Sequence, residues 1–270
     1  MHRLATLVAF VLCVAAPALA QRGAKPPAKP SAPTPHWPDG RVNLGPEPGG
    51  KGHWNSGPGL LSETPIKMEG AFLANPADVD KVAPFQDWAK ALFLYRQATQ
   101  AKDDPHSRCQ GPAGPRQFTT PYGLEIVDQP ELKRLLILSA GGSHAWRTIH
   151  MDGRPHPTGD DVNPTYYGHS VGRWEGETLV IDSVGFNERI WMSGRPVGMV
   201  HTDQLHLTER ISRPDFNTLR YEATIDDPGA YTRPWTGQAF NIPWNPNESE
   251  EFFCTDNNLY GQEHHGAIAK

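Results

Sequence analysis

Two histidines, two aspartates and two arginines fall within the string MDGRPHP and the hairpin that follows it, GHSVGRWEGETLVIDSVGF. An imidazole titrates near neutrality, and a carboxylate beside it fixes its tautomer and raises its basicity, which is how a general base is oriented. If Glu175 and Gly176 form a two-residue hairpin turn, Trp174 faces Glu177 and the pairing carries on until His169 lies directly across from Asp182. His169 is then a candidate base and Asp182 its orienting carboxylate. Alternation puts His169, Val171, Arg173, Thr178, Val180 and Asp182 on one face, with Gly172, Trp174, Leu179 and Ile181 on the other. The second face is the more apolar, so the competing reading is a solvated cross-strand pair.

The neighbouring strings supply further candidates. In AWRTIHMDGRPHP, alternation places Trp146, Thr148, His150 and Asp152 on one face, with Arg147, Ile149 and Met151 on the other. Gly153 permits a tight turn, after which Arg154 and His156 sit on a loop where they could hold a substrate oxygen. The competing reading is that Asp152 caps the turn and pairs with Arg154. In VHTDQLHLTERI, Glu209 shares a face with Leu205, Leu207 and Ile211, where burial disfavours its charged form unless a cation or donors compensate. Glu209 is thus either a candidate acid or the structural partner of an arginine such as Arg173 or Arg220. His150 joins His169, Asp182 and Glu209 in the expected catalytic set. Asp152, Arg154, His156, Trp174 and Trp235 form the expected substrate-binding set.

Twelve histidines raise the question of a metal. No H-E-x-x-H, H-x-x-E-H or cysteine-pair spacing occurs, and what remains is a non-contiguous site built from His150, His169, His201 or His206. A phosphate-binding loop, a dinucleotide fingerprint and a G-x-S-x-G element are also missing, so no cofactor is expected. The eight tryptophans, with the Pro234-Trp235 pair among them, could line an apolar or sugar-binding cavity.

The elements that must position these groups can be read along the chain. Residues 1–20 have the form of a secretory signal, with a short basic start, an apolar run too brief to span a bilayer, and Ala-Leu-Ala at the cleavage position. Residues 21–58 are rich in Pro, Gly and Lys and are expected to be a flexible lead-in. Helical spacing of Phe85, Trp88, Leu92 and Tyr95 predicts a helix within 76–101, in a lead-in running from 59 to 104. From Leu124 to Phe253 short alternating runs separated by turn signals predict an all-β domain over 105–258, with a tail at 259–270. Eight strands joined mainly by hairpins, the last near EEFFC, suggest an antiparallel lipocalin-like barrel with room for side chains or one small ligand.

The chain carries a net charge of −5 and no basic stripe, so nucleic acid is not an expected partner. Cleavage of the leader would leave Cys109 and Cys254, and in an oxidising compartment a disulfide between them is the default.

The elements MDGRPHP, GHSVGRWEGETLVIDSVGF, LHLTER and DDPGAYTRPW together resemble those of a large family of exported bacterial proteins without an assigned activity. That family carries D-G-R-x-H-P, G-H-S-x-G-x-W-E-G-x-T-L-V and D-P-x-x-[YF]-x-x-P-W elements, and the similarity covers roughly residues 103–258. The resemblance implies a single β-rich exported domain, with motif residues at Asp152, Arg154, His156, His169, Trp174, Glu175 and Trp235. It implies no particular reaction.

Three functions are therefore weighed. The first is a periplasmic or secreted barrel enzyme performing cofactor-independent acid–base chemistry, as a lyase, isomerase or hydrolase, on a small aromatic or carbohydrate-derived substrate. The second is a non-catalytic carrier or sensor, and the third a metal-dependent enzyme with a His-rich site.

Overall fold

Alternation of apolar and polar side chains builds most of the regular structure of the described residues as strands. The computed structural model describes residues 31–61, 66–141 and 145–254. A two-residue strand β1 (His53–Trp54) is followed by the small hairpin of β2 (Met68–Glu69) and β3 (Phe72–Leu73), and then by the helices α1 (Val79–Val82) and α2 (Asp87–Ala98). Next come β4 (Leu124–Gln129), β5 (Arg134–Ser139), β6 (Trp146–His150), β7 (His169–Glu175) and β8 (Thr178–Val184). The long pair β9 (His206–Asp215) and β10 (Thr218–Asp226) precedes β11 (Trp235–Thr236) and β12 (Phe240–Asn245).

Nine strands close a barrel in the order β9-β10-β12-β1-β4-β5-β6-β7-β8, with β8 returning to β9 and β11 lying beside β10. All neighbours are antiparallel except β6 and β7. The interior is filled by alternate side chains, among them Ile126, Ile137, Ile149, Leu179, Ile211 and Tyr221. Phe118, from a 3-10 turn at Gly114–Phe118, stacks on Tyr221 with ring centroids 4.1 Å apart.

The all-β barrel expectation holds, with differences that have physical causes. Seven expected runs become β4 to β10, but the last wall strand is Phe240–Asn245 rather than EEFFC. The ninth is β1, which lies within the supposed flexible segment at 21–58. There Val42, Leu44 and Trp54 are buried, Trp54 Nε1 donates to the Leu44 carbonyl, and Trp54 meets Trp244 edge-on at 4.7 Å. A few large apolar side chains anchor a segment whose average composition reads as unstructured. The barrel thus begins at His53, ahead of the expected boundary at 105, while residues 1–30, including the signal-like leader, and the tail at 259–270 lie outside the described residues.

The expected single helix is two. Ala83, just before Pro84, is extended and ends α1, as the clash with a following proline ring favours. The buried face of α2 carries Ala89 and Phe93, with Phe85 stacked on Phe93 at 5.1 Å, so Trp88 and Tyr95 are exposed rather than inward.

The β7–β8 hairpin also differs from expectation. Glu175 pairs with Thr178, which makes Gly176 and Glu177 the turn residues. Gly176 has φ of +60°, and a glycine at the first central position is what a type II′ turn requires. His169 consequently faces Val184 and Asp182 faces Val171. The slip amounts to two residues across the pair, so every side chain stays on its expected face.

Cys109 and Cys254 form the expected disulfide, with Cα atoms 5.6 Å apart. Among the described residues no helix is long and apolar enough to cross a membrane.

Candidate functional site: a histidine relay on the outer wall

Four strands bring the site together. Arg147 and Ile149 of β6 point inward, which turns His150 outward, and on β7 the inward Ser170 leaves His169 on the outer face. Registers align His150 with Val171, Val171 with Asp182, and Asp182 with Thr208, a row running across the outside of the barrel. Parallel neighbours cannot be joined by a tight turn, so the chain between β6 and β7 crosses back over the wall. That crossover carries Asp152, Arg154 and His156.

His169 and Asp182 therefore do not pair directly, and they lie outside the barrel rather than in its cavity. His156 bridges them. Its Nε2 is 2.9 Å from Asp182 Oδ1, and its Nδ1 is 2.8 Å from Nδ1 of His169. The second carboxylate oxygen, Oδ2, is 2.9 Å from His206 Nε2 and accepts a longer bond, 3.4 Å, from the Thr208 hydroxyl. His150 stacks on His169 with centroids 5.2 Å apart.

Proton positions follow from donor and acceptor matching. Burial works to raise the Asp182 carboxyl, but hydrogen bonds from His206 and His156 outweigh it and hold the group below the usual range. Asp182 is thus an ionised acceptor, and both imidazoles donate to it through Nε2–H. With its Nε2–H given to Asp182, His156 presents Nδ1 as the acceptor for Nδ1–H of His169. The lone pair of His169 is left on Nε2. Burial above all, with Arg154 adding to it, pushes His169 below the ordinary histidine value, so it is neutral and able to take a proton at pH 7. Burial and Arg154 lower His150 likewise.

Arg154 donates to Asp152 through Nε, at 2.9 and 3.0 Å, and through Nη2, at 2.6 Å. These bonds hold the Asp152 carboxyl well below the usual carboxylate range. The competing reading, in which Asp152 caps the turn and pairs with Arg154, is met. Arg154 nevertheless stays within electrostatic reach of both His150 and His169.

Glu209 is not part of this cluster. It lies inside the barrel, fully buried, bonded to Arg147 Nη2 and to the Tyr221 hydroxyl at 2.8 Å. Arg147 also donates to Ser170 at 3.0 Å and to Ser183 at 2.7 Å. Glu209 is the ion-pair partner of an arginine, and that arginine is Arg147 instead of Arg173 or Arg220. Trp174 and Trp235 likewise pack with the core, Trp235 against Tyr231 at 5.4 Å, and neither faces the cluster. His201 is buried with its ring nitrogens 3.1 Å from the carbonyl oxygens of Thr202 and Ile190.

Sequence reasoning placed His206 only among possible metal ligands and did not connect it to Asp182. The alternation of QLHLTER puts His206 and Thr208 on the outer face, and that signal was available. Among the described residues no group of three His, Cys, Asp or Glu side chains is arranged to hold a metal ion. Comparison of the chain with protein-family models, curated proteins and solved structures finds no match.

Proposed function

We propose that the chain is an exported, cofactor-independent enzyme that uses the outer-wall relay for general acid–base chemistry on a small organic molecule. His169 Nε2 removes the substrate proton. The resulting positive charge is shared with His156 through the Nδ1–H bond and compensated by Asp182, which stays ionised. Arg154, at the edge of the cluster, attracts an anionic or carbonyl oxygen of the substrate. The reading fits proton abstraction in a lyase, an isomerase or a hydrolase. Its export rests on the leader's pattern together with the disulfide.

One observation carries this reading: three groups in series, Asp182, His156 and His169, with 2.9 and 2.8 Å spacings that leave one lone pair free at the end. The filled interior offers less support to a carrier that would hold its ligand inside the barrel. Long-range proton–nitrogen spectra of the histidine rings test the reading, and should show His169 protonated on Nδ1 at neutral pH. Turnover in a panel of ester, lactone and β-elimination substrates should disappear in His169→Gln. A proton on Nε2, or turnover that His169→Gln retains, would overturn the proposal.

A further inference from the structure

The outer wall that carries the relay has an apolar end. Trp146, at the start of β6, is 63% exposed, although its indole is a large apolar group. A lone exposed aromatic needs no explanation. This one belongs to a strip: the registers set Leu138 opposite Trp146, Leu136 opposite Thr148, and Val127 opposite Leu136, each outward because its strand neighbours are buried inside. None of Trp146, Leu138, Leu136 and Val127 is packed with the core. Contiguous apolar surface of this kind marks a binding site.

The strip runs up to the base. β6 and β7 are parallel with Ile149 level with Ser170, so one residue earlier Thr148 is level with His169. The Trp146 position therefore lies about 7 Å along β6 and about 5 Å across one strand from that of His169. This offset suits a single ring lying on the indole with a short substituent that reaches Nε2 of His169.

Charge varies along the same wall and gives a ligand its direction. Beside Leu138, a recess of about 350 Å³ is lined by Glu125, Glu250 and Glu251. At the other end Arg134 is opposite His150 in the register, and Arg134 and Arg154 both act electrostatically on that histidine. A ligand with an anionic or carbonyl oxygen is thus repelled from the Trp146 end and drawn toward the arginines. The hydroxyls of a sugar ring would need donors and acceptors beside the indole, and the side chains of Leu138, Leu136 and Val127 supply none.

We infer that the substrate of the relay is a small aryl compound whose ring stacks on Trp146 and against Leu138. Its carbonyl or anionic oxygen points toward Arg154, and the acidic proton between ring and oxygen lies beside His169. The inference rests on the relay as the reacting site and adds Trp146 as the residue that selects a flat apolar ring.

Benzamide is the probe, with acetamide as its ringless counterpart and methyl β-glucoside as a sugar, each titrated into the protein while indole Nε1–H and histidine ring signals are recorded. Benzamide is expected to shift the Trp146 indole and the His169 ring, and the other two to shift them little. Trp146→Ala, at an exposed position, should weaken benzamide binding about tenfold, and Trp146→Phe, which keeps a flat ring, only about twofold. The inference is overturned if benzamide at tens of millimolar leaves the Trp146 indole unmoved, if the glucoside shifts it more than benzamide does, or if Trp146→Ala binds as the parent does. The tautomer of His169, read in the same sample, separates this inference from the relay. A proton on Nδ1 with an unmoved indole overturns the aryl subsite alone, whereas a proton on Nε2 removes the relay and the subsite with it.

Discussion

Nε2 of His156 stands 2.9 Å from Asp182 while its Nδ1 stands 2.8 Å from His169, so a loop residue joins two strand residues that do not touch each other. Replacing Asp182 by Asn substitutes an uncharged amide for the carboxylate that fixes the tautomers of His156 and His206. The expected result for Asp182→Asn is a loss of turnover of about 10²-fold or more, the scale of a positioned acid–base group. His206→Gln, which leaves the His156 arm intact, should cost much less. Steady-state rates on any substrate found by screening check the order, and equal losses would contradict a directional relay.

Stability should rise with pH through the acidic-to-neutral range. Burial is the main cause that holds His150, His169 and His201 below the ordinary 6.5, so the unfolded chain binds more protons than the folded one just below that pH. The slope of unfolding free energy is therefore positive there and flattens above about pH 6.5. Asp182 acts in the same sense at lower pH, because its depressed carboxyl contributes stability above 3.8 that is lost as pH falls through the folded value. Urea midpoints measured across the range should climb and then level off, and His169→Gln should reduce the slope.

The interior ion pair should be expensive to halve and cheap to remove whole. Glu209→Gln leaves the Arg147 charge buried without its counter-ion and is expected to cost about 3–5 kcal/mol. The double replacement Arg147→Met with Glu209→Met should cost clearly less than the sum of the single changes. A double-mutant cycle in urea reads the difference, and additivity would show that the two side chains are uncoupled.

Cys109 and Cys254 are separated by 145 residues, so their bridge restricts most of the barrel in the unfolded chain. Changing both to Ser is expected to lower stability by about 2–5 kcal/mol, with little effect on the relay, which lies on other elements. Unfolding with and without reductant measures it, and the serine protein should be insensitive to reductant.

Much of this structure was legible in the order of side chains. Alternation put His169 and Asp182 on one face, Arg147 opposite His150, and Glu209 among apolar neighbours, and each of these assignments stands. It did not say which face was inside, because the β7–β8 outer row includes Val171, Val180 and Val184 and is nearly as apolar as the inner one. Nor did it reveal that β6 and β7 run parallel, since their pairing depends on a crossover whose path no local pattern encodes. Without that pairing, Arg147 could not be matched to Glu209, nor His156 to the gap between His169 and Asp182. The helix face was misread for a related reason: Trp88 and Tyr95 have the larger apolar surface, yet the tighter packing against Phe85 selects Ala89 and Phe93.

β1 is only two residues long, yet it fills the gap in the wall between β12 and β4, with His53 opposite Asn245 and Trp54 opposite both Trp244 and Leu124. β1 and β12 come from opposite ends of the described barrel sequence and must meet before the wall closes. Until then the wall has an open seam, and its long hairpins can form only as an unsealed sheet. This closing pairing is among the most distant along the sequence, a topology that favours slow closure.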